Sequence, residues 1–218
     1  MLKFTFLGFP VVIHWFFWIN AALIGGALDA QGPAAFQRLL VWMVVVFASI
    51  LIHELGHAMA MRRLGDRRGG IVLFALGGFA QGSLPRTRGQ DIWVTAAGPL
   101  AQLAGAAFVW LCIRAYPPVR NSLLEYGTFS FVTASVFWAV LNIMPVLPLD
   151  GGRIAAAIAG PRNIKLALGL SLVCAVALAL FMGSRGAWIG AILFAVLAYN
   201  SFQQIRGAKQ VPLMGVQS

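Results

Sequence analysis

Apolar residues in this chain come mostly in unbroken runs. They lack the strict alternation of a half-buried strand and the one-sided spacing of a surface helix. A helix crossing a bilayer needs about 20 consecutive apolar residues. Runs of that size lie near 8–28, 39–61, 92–114, 129–147, 164–183 and 187–203, which predicts about six spans. The first is too long for the apolar stretch of a signal peptide, contains His14 and Asn20, and lacks a convincing small-residue cleavage site after it. It is expected to be a retained helix. A further apolar segment, GGIVLFALGGFAQGSLP (Gly69 to Pro85), is too short to cross as a helix and is interrupted by Gly77 and Gly78. It predicts a re-entrant or interfacial β-hairpin with a glycine turn, and the plainer alternative is a loop that only packs. The predicted fold class is therefore an all-α polytopic membrane protein with a short membrane-associated β-hairpin between helices 2 and 3.

Composition strengthens this picture. The chain is 60% hydrophobic and 10% charged, where a soluble domain is about a quarter charged. Its formal net charge of +10 could suggest nucleic acid. The Lys and Arg residues instead lie almost entirely between apolar runs, and no basic stripe with stacking aromatics remains, so no nucleic-acid partner is expected. Of the 16 Lys and Arg, all but Arg38, Arg114, Arg120 and Arg185 fall on one side of the six-span topology. The positive-inside rule then places both termini in the cytoplasm. A small basic chain of this kind suits a prokaryotic inner membrane.

Chemistry enters in the second run, at SILIHELGHAMAMRR (Ser49 to Arg63). Each polar group at mid-membrane costs roughly 2.5–3.5 kcal/mol, so His53, Glu54 and His57 need a reason to be there. Histidines spaced i, i+4 stack on one helix face with converging ring nitrogens, a spacing that suits two ligands of a tetrahedral Zn²⁺. Glu54, the next residue along, is placed to reach a water at the metal and not the metal itself. His-Glu-x-x-His is a zinc metalloprotease signature for this reason.

A hydrolytic zinc site takes a third protein ligand and leaves one position open. Asp29 and Glu125 fall on the opposite side. Asp66 and Asp91 lie in the Arg-rich loop, where paired surface charge is the plainer reading. Cys112 and Cys174 sit in separate apolar runs, where free cysteine is usually a small buried hydrophobe. Asp150 remains, in NIMPVLPLDGGRI (Asn142 to Ile154), at a depth compatible with the histidines. The alternative for Asp150 is a helix N-cap ahead of GGRIAAAIAG. His14, beside Trp15 and Trp18, reads as an interfacial anchor, with a place near the cavity or the metal as the alternative.

HELGH together with NIMPVLPLDGG resembles the paired signature of the site-2 protease family, the intramembrane zinc metalloproteases. GFPVVIHWFFW, FALGGFAQ and AAGPLAQL are similar to that family's N-terminal segment, its membrane-associated β-hairpin and the opening of its third core helix. The resemblance covers about residues 8–155, and the last two spans carry no motif. It implies one Zn²⁺ per chain held by His53, His57 and Asp150, with Glu54 as catalytic base. It also implies cleavage of single-span membrane proteins in or near the bilayer. Where the family often has Asn, this chain has Gln102, and no function is carried onto it. No PDZ-type domain lies between the spans, so a minimal form is expected, one protease domain over 1–218 with two extra C-terminal spans near 164–203.

Hydrolysis in lipid has further needs. The developing oxyanion requires a donor, for which Asn142 is a candidate; an interhelical hydrogen bond is its plainer role. A helical peptide bond must unwind before attack. An extended substrate could add to the edge of the 70–84 hairpin, which makes Phe74, Gly77 and Gly78 candidate substrate-binding residues. The rival functions are a non-catalytic zinc-binding membrane adaptor and a metal transporter. An intact Glu54 weighs against the first. The second is disfavoured because the ionisable residues gather at one depth and do not line a path.

Overall fold

The computed structural model describes residues 1–66, 69–75, 77–82, 84 and 86–207. Arg67, Arg68 and Lys209 of the charge count, and Leu76, Ser83 and Pro85 of the predicted hairpin segment, lie outside the described residues. Two compact units are present: residues 1–83 with 97–139, and residues 84–96 with 140–218.

The first unit opens with an element missing from the hydropathy reading. LKFTF forms β1 (Leu2–Phe6), and β-branched FPVVI forms β2 (Phe9–Ile13). They make an antiparallel hairpin that closes between Phe6 and Phe9, with both Leu7 (φ +49°) and Gly8 (φ +77°) left-handed. That conformation is costly for leucine. Arg62 offsets it by donating to the Leu7 and Gly8 carbonyls at 2.9 Å each, with its guanidinium 3.5 Å from the centre of the Phe9 ring. β3 (Ile71–Phe74) joins β2 in parallel and β4 (Gly77–Ala80) joins β3 antiparallel, giving a four-stranded sheet in the order β1-β2-β3-β4. Phe9, Val11, Ile13, Ile71 and Leu73 alternate onto one buried face, as the two-residue strand period dictates.

The first predicted span is therefore corrected. Residues 9–13 are strand, and the helix after them, α1 (Trp15–Ile24), has only 10 residues, about 15 Å and half a bilayer core. His14 caps it, its Nδ1 accepting from the Phe16 N–H at 3.3 Å. α1 runs beside α2 (Gly32–Arg63): Trp42 Nε1 donates to the Ala21 carbonyl at 3.1 Å, and a Cβ on Gly25 would stand 2.8 Å from Leu39 Cδ1. β2 and α1 thus line α2 from Arg62 back to Leu39. Among the described residues five helices are long and apolar enough to cross a membrane. They are α2, α3 (Arg88–Ala115), α4 (Leu123–Ile143), the segment Pro161–Ser184 containing α6 (Ile164–Ser184), and α7 (Trp188–Gly207). Half of the most apolar window of α2 is buried, against about a fifth for the others, so α2 is the internal helix of its unit. Its apolar face packs with β2, α1 and β3 around Val46, Ile50, Leu55 and Ala58.

The glycine turn is also corrected. Gly77 and Gly78 belong to β4, and the connection leaves Phe74 through Ala75 at φ +48°. The second unit contains α5 (Asp150–Ala159) and the α6–α7 pair, with a core of Val146, Ala175, Phe194 and Ala198. The Leu147 N–H donates to Ser171 Oγ at 2.9 Å, and Ser171 Oγ lies 2.9 Å from Ser201 Oγ. The loop before α5 is thereby tied to both final helices.

Candidate metal centre

The local sequence explains how α2 presents its polar residues. Leu51, Leu55, Ala58 and Met61 bury apolar surface, while Ser49, His53, Glu54 and His57 are all buried polar positions on the same helix. Their surroundings come from α3. A Cβ on Gly56 would stand 2.8 Å from Ala101 Cβ and would overlap the Ala97 carbonyl, so small residues let the two backbones come close. This brings Gly98 over the imidazoles. A Cβ there would lie 2.9 Å from His53 Nε2 and nearer still to His57 Nε2 and Cε1.

His53 Nε2 and His57 Nε2 are 3.1 Å apart, with ring planes at 81°. Two nitrogens bound tetrahedrally to one zinc, each at about 2.0–2.1 Å, stand about 3.3 Å apart. The pair therefore fits a zinc ion, and glycine at position 98 preserves the space beside it. Glu54 lies against the sheet. A Cβ on Gly78 would lie 2.7 Å from Glu54 Cγ and 2.9 Å from Oε1, so the glycine of β4 allows the strand to pass directly against the carboxylate.

Behind His53 runs a buried polar relay. His53 Nδ1 is 3.1 Å from Gln102 Oε1, and Gln102 Nε2 donates to Ser49 Oγ at 2.8 Å and approaches the Ser49 carbonyl at 3.5 Å. Ser49 Oγ is 2.9 Å from Ser135 Oγ on α4. Sequence reasoning passed over Gln102, Ser49 and Ser135. A usable signal was present: Ser49 lies one turn before His53, and Gln102 is an amide within an otherwise apolar span one turn after Gly98.

In the second unit Asp150 is buried at the first position of α5. The cap position is Leu149, so the N-cap alternative does not describe it. Gly151 and Gly152 let the preceding chain fold back: a Cβ at either would meet the 143–147 backbone, at 2.5 Å from the Met144 oxygen in the case of Gly151. Arg153 approaches Asp150 Oδ1 at 3.9 Å and Asp91 Oδ1 at 3.8 Å. Asp91 also accepts from Arg86 at 3.3 Å. Asp91 is thus paired, as expected, but both Asp91 and Asp66 are buried, which corrects the surface assignment. Asn142 lies half-buried in the last turn of α4. The His14 ring packs 4.9 Å from that of half-exposed Phe74, so beside its capping role it is a packing residue. Cys112 is exposed on α3, contrary to the buried reading, and Cys174 is partly buried; both are free thiols.

Comparison with known proteins agrees with this arrangement. Residues 41–128 match peptidase family M50. Rip3 of Mycobacterium tuberculosis, named as a zinc metalloprotease, is 28% identical over 91% of this chain and 56% of its own length. A zinc metalloprotease of Methanocaldococcus jannaschii is 27% identical over 92% of this chain and 59% of its own. The chain thus spans about half the length of the curated relatives it matches. The solved site-2 protease from Methanocaldococcus jannaschii has the same fold, with a TM-score of 0.64 and 20% identity over 94% of this chain and 95% of that one. The apolar helices, the sheet beside a His-Glu-x-x-His helix and these matches converge: the chain is an integral multi-pass membrane protein with the fold of the solved site-2 protease, and its residues 41–128 are similar to peptidase family M50.

Proposed function

We propose that this protein is an intramembrane zinc endopeptidase that hydrolyses peptide bonds in or near the transmembrane segment of single-span membrane proteins. The observation that carries the reading is the pair of buried Nε2 atoms 3.1 Å apart on α2, with the Glu54 carboxylate adjoining them in sequence and lying against β4. His53, His57 and Asp150 are the proposed ligands of one Zn²⁺. Bound there, zinc supplies a Lewis acid and lowers the pKa of water toward neutrality. Glu54 accepts the proton of the attacking water and returns it to the leaving amine, a role worth about 10²–10⁴-fold in rate. The Asn142 amide is the proposed donor to the oxyanion.

The substrate is proposed to unwind and add as a strand to the outer edge of β4, which pairs only with β3 among the described strands. Main-chain hydrogen bonds there would satisfy a backbone that lipid cannot. Gly78 brings that edge to the base, and Phe74 and Phe79 are both exposed, at 48%, to receive apolar side chains. β2 and α1 together extend about 30 Å, enough for residues 9–25 to cross in company with α2 as strand and then helix. That crossing restores an even count, which together with the Lys and Arg bias supports termini on the cytoplasmic side.

The test compares wild type with Glu54→Gln in detergent, counting zinc per chain and following a single-span substrate for new termini. Near-stoichiometric zinc in both, with cleavage only in the wild type, is expected. Zinc in both and cleavage by both would remove Glu54 from its role. Zinc in both and cleavage by neither, across several single-span substrates, would favour the non-catalytic adaptor.

A further inference from the structure

An imidazole binds a metal through a nitrogen lone pair, so a histidine ligand must keep its remaining proton on the other nitrogen. His53 presents Nε2 toward His57, which requires its proton on Nδ1. Something must hold it there, because the neutral ring has no strong preference of its own. The group facing Nδ1 is Gln102 Oε1 at 3.1 Å. An amide oxygen only accepts, so in this orientation it admits only the Nδ1–H tautomer.

The amide orientation is itself fixed from behind. Turning the Gln102 amide over would point its NH₂ at His53 Nδ1 and force the proton onto Nε2, removing the lone pair. It would also set Oε1 against the Ser49 carbonyl, which now lies 3.5 Å from Nε2 and can only accept. With Nε2 donating to Ser49 Oγ at 2.8 Å, the serine hydroxyl hydrogen is free to point to Ser135 Oγ, 2.9 Å away. All members of the relay are buried: Gln102 and Ser135 at 0% exposure, Ser49 at 2% and His53 at 6%. The reversed arrangement would hold two acceptor oxygens against each other inside this buried relay, so the observed orientation is favoured.

We infer that Gln102 is a positioning residue that sets the tautomer and ring orientation of His53, and that Ser49 and Ser135 set Gln102. α3 then acts on the centre twice, one turn apart: Gly98 leaves room for the two imidazoles, and Gln102 prepares one of them as a ligand. This inference rests on the reading of His53 as a metal ligand. Hydrogen-bonding partners behind a histidine ligand typically change metal affinity by about 10–100-fold when removed.

The experiment measures Zn²⁺ affinity by chelator competition for wild type, Gln102→Met and Gln102→Glu, with metal-free unfolding temperatures alongside. Methionine keeps the length and loses both polar atoms; glutamate keeps an acceptor for Nδ1. About 10–100-fold weaker binding in Gln102→Met, largely recovered in Gln102→Glu, is the expected result. Unchanged affinity in Gln102→Met overturns the inference, as does equal loss in both variants, which would mean packing alone. In zinc-loaded wild type, ¹⁵N NMR of labelled histidines must also find His53 protonated at Nδ1; a proton on Nε2 overturns the inference whatever the variants do. A wild type that binds no zinc would instead sink the proposed function itself.

Discussion

Replacing Gly98 with alanine adds one methyl group at the most crowded point of the proposed metal centre. The new Cβ would lie 2.9 Å from His53 Nε2, where ordinary contact begins at 3.4 Å, and closer still to His57. The His53 ring must therefore give by about 0.5 Å and the His57 ring by more, whereas metal–ligand distances hold within about ±0.2 Å. At least one ligand is expected to be lost or badly bent. Losing a hydrogen bond behind a ligand already costs about 10–100-fold, so displacing the ligand should cost at least ~100-fold in zinc affinity, about 2.8 kcal/mol. The backbone works in the opposite direction: alanine in a helix interior is favoured over glycine by about 0.8–1 kcal/mol. Gly98→Ala should thus remain folded while losing metal. Chelator competition and zinc counting on purified protein measure the loss. Gly89→Ala near the start of α3 is the control, because nothing lies within 4 Å of its added carbon. Gly98→Ala with stoichiometric zinc and wild-type affinity would refute the placement of the metal beside α3.

Two other substitutions test separate parts of the fold. Gly78→Ala puts a carbon 2.9 Å from Glu54 Oε1 and should displace the carboxylate without touching the histidines. Zinc content should hold while cleavage falls by about 10²-fold, the usual effect of misplacing a catalytic group by up to 1 Å; equal loss of zinc would show that the strand supports the metal instead. Ser171→Ala leaves the Leu147 N–H and the Ser201 hydroxyl without their shared partner, a cost of about 1–3 kcal/mol. A thermal midpoint lowered by several degrees is expected, and an unchanged one would mean that another acceptor takes over.

The long apolar helices and the His-Glu-x-x-His face were legible because each depends on local pattern alone. Length and hydropathy suffice for α2, α3, α4, α6 and α7, and an i, i+4 spacing suffices to bring His53 and His57 together. The N-terminal segment was misread because an apolar run does not say whether it is strand or helix. FPVVI and WFFWINAALI join into one hydropathy peak, and the choice of strand for the first half is made by Ile71–Leu73, some 60 residues later. The turn was misplaced for a similar reason: Gly77 and Gly78 look like a bend, but Gly78 is required where it is by Glu54 on another element. Gln102 was passed over because its meaning depends on a ring nitrogen 49 positions away.

The mixed build of residues 9–25 also constrains how the protein is made. A ten-residue helix following a strand offers the insertion machinery no self-sufficient segment, because the backbone groups along β2 that face β3 have no partner until residues 71–73 are synthesised. α2, long and apolar, can enter the membrane unaided. The proposed N-terminal crossing would then be completed after it, against the side of a helix already in place. Biogenesis of this chain is accordingly expected to run out of sequence order, with its first membrane element among the later ones to settle.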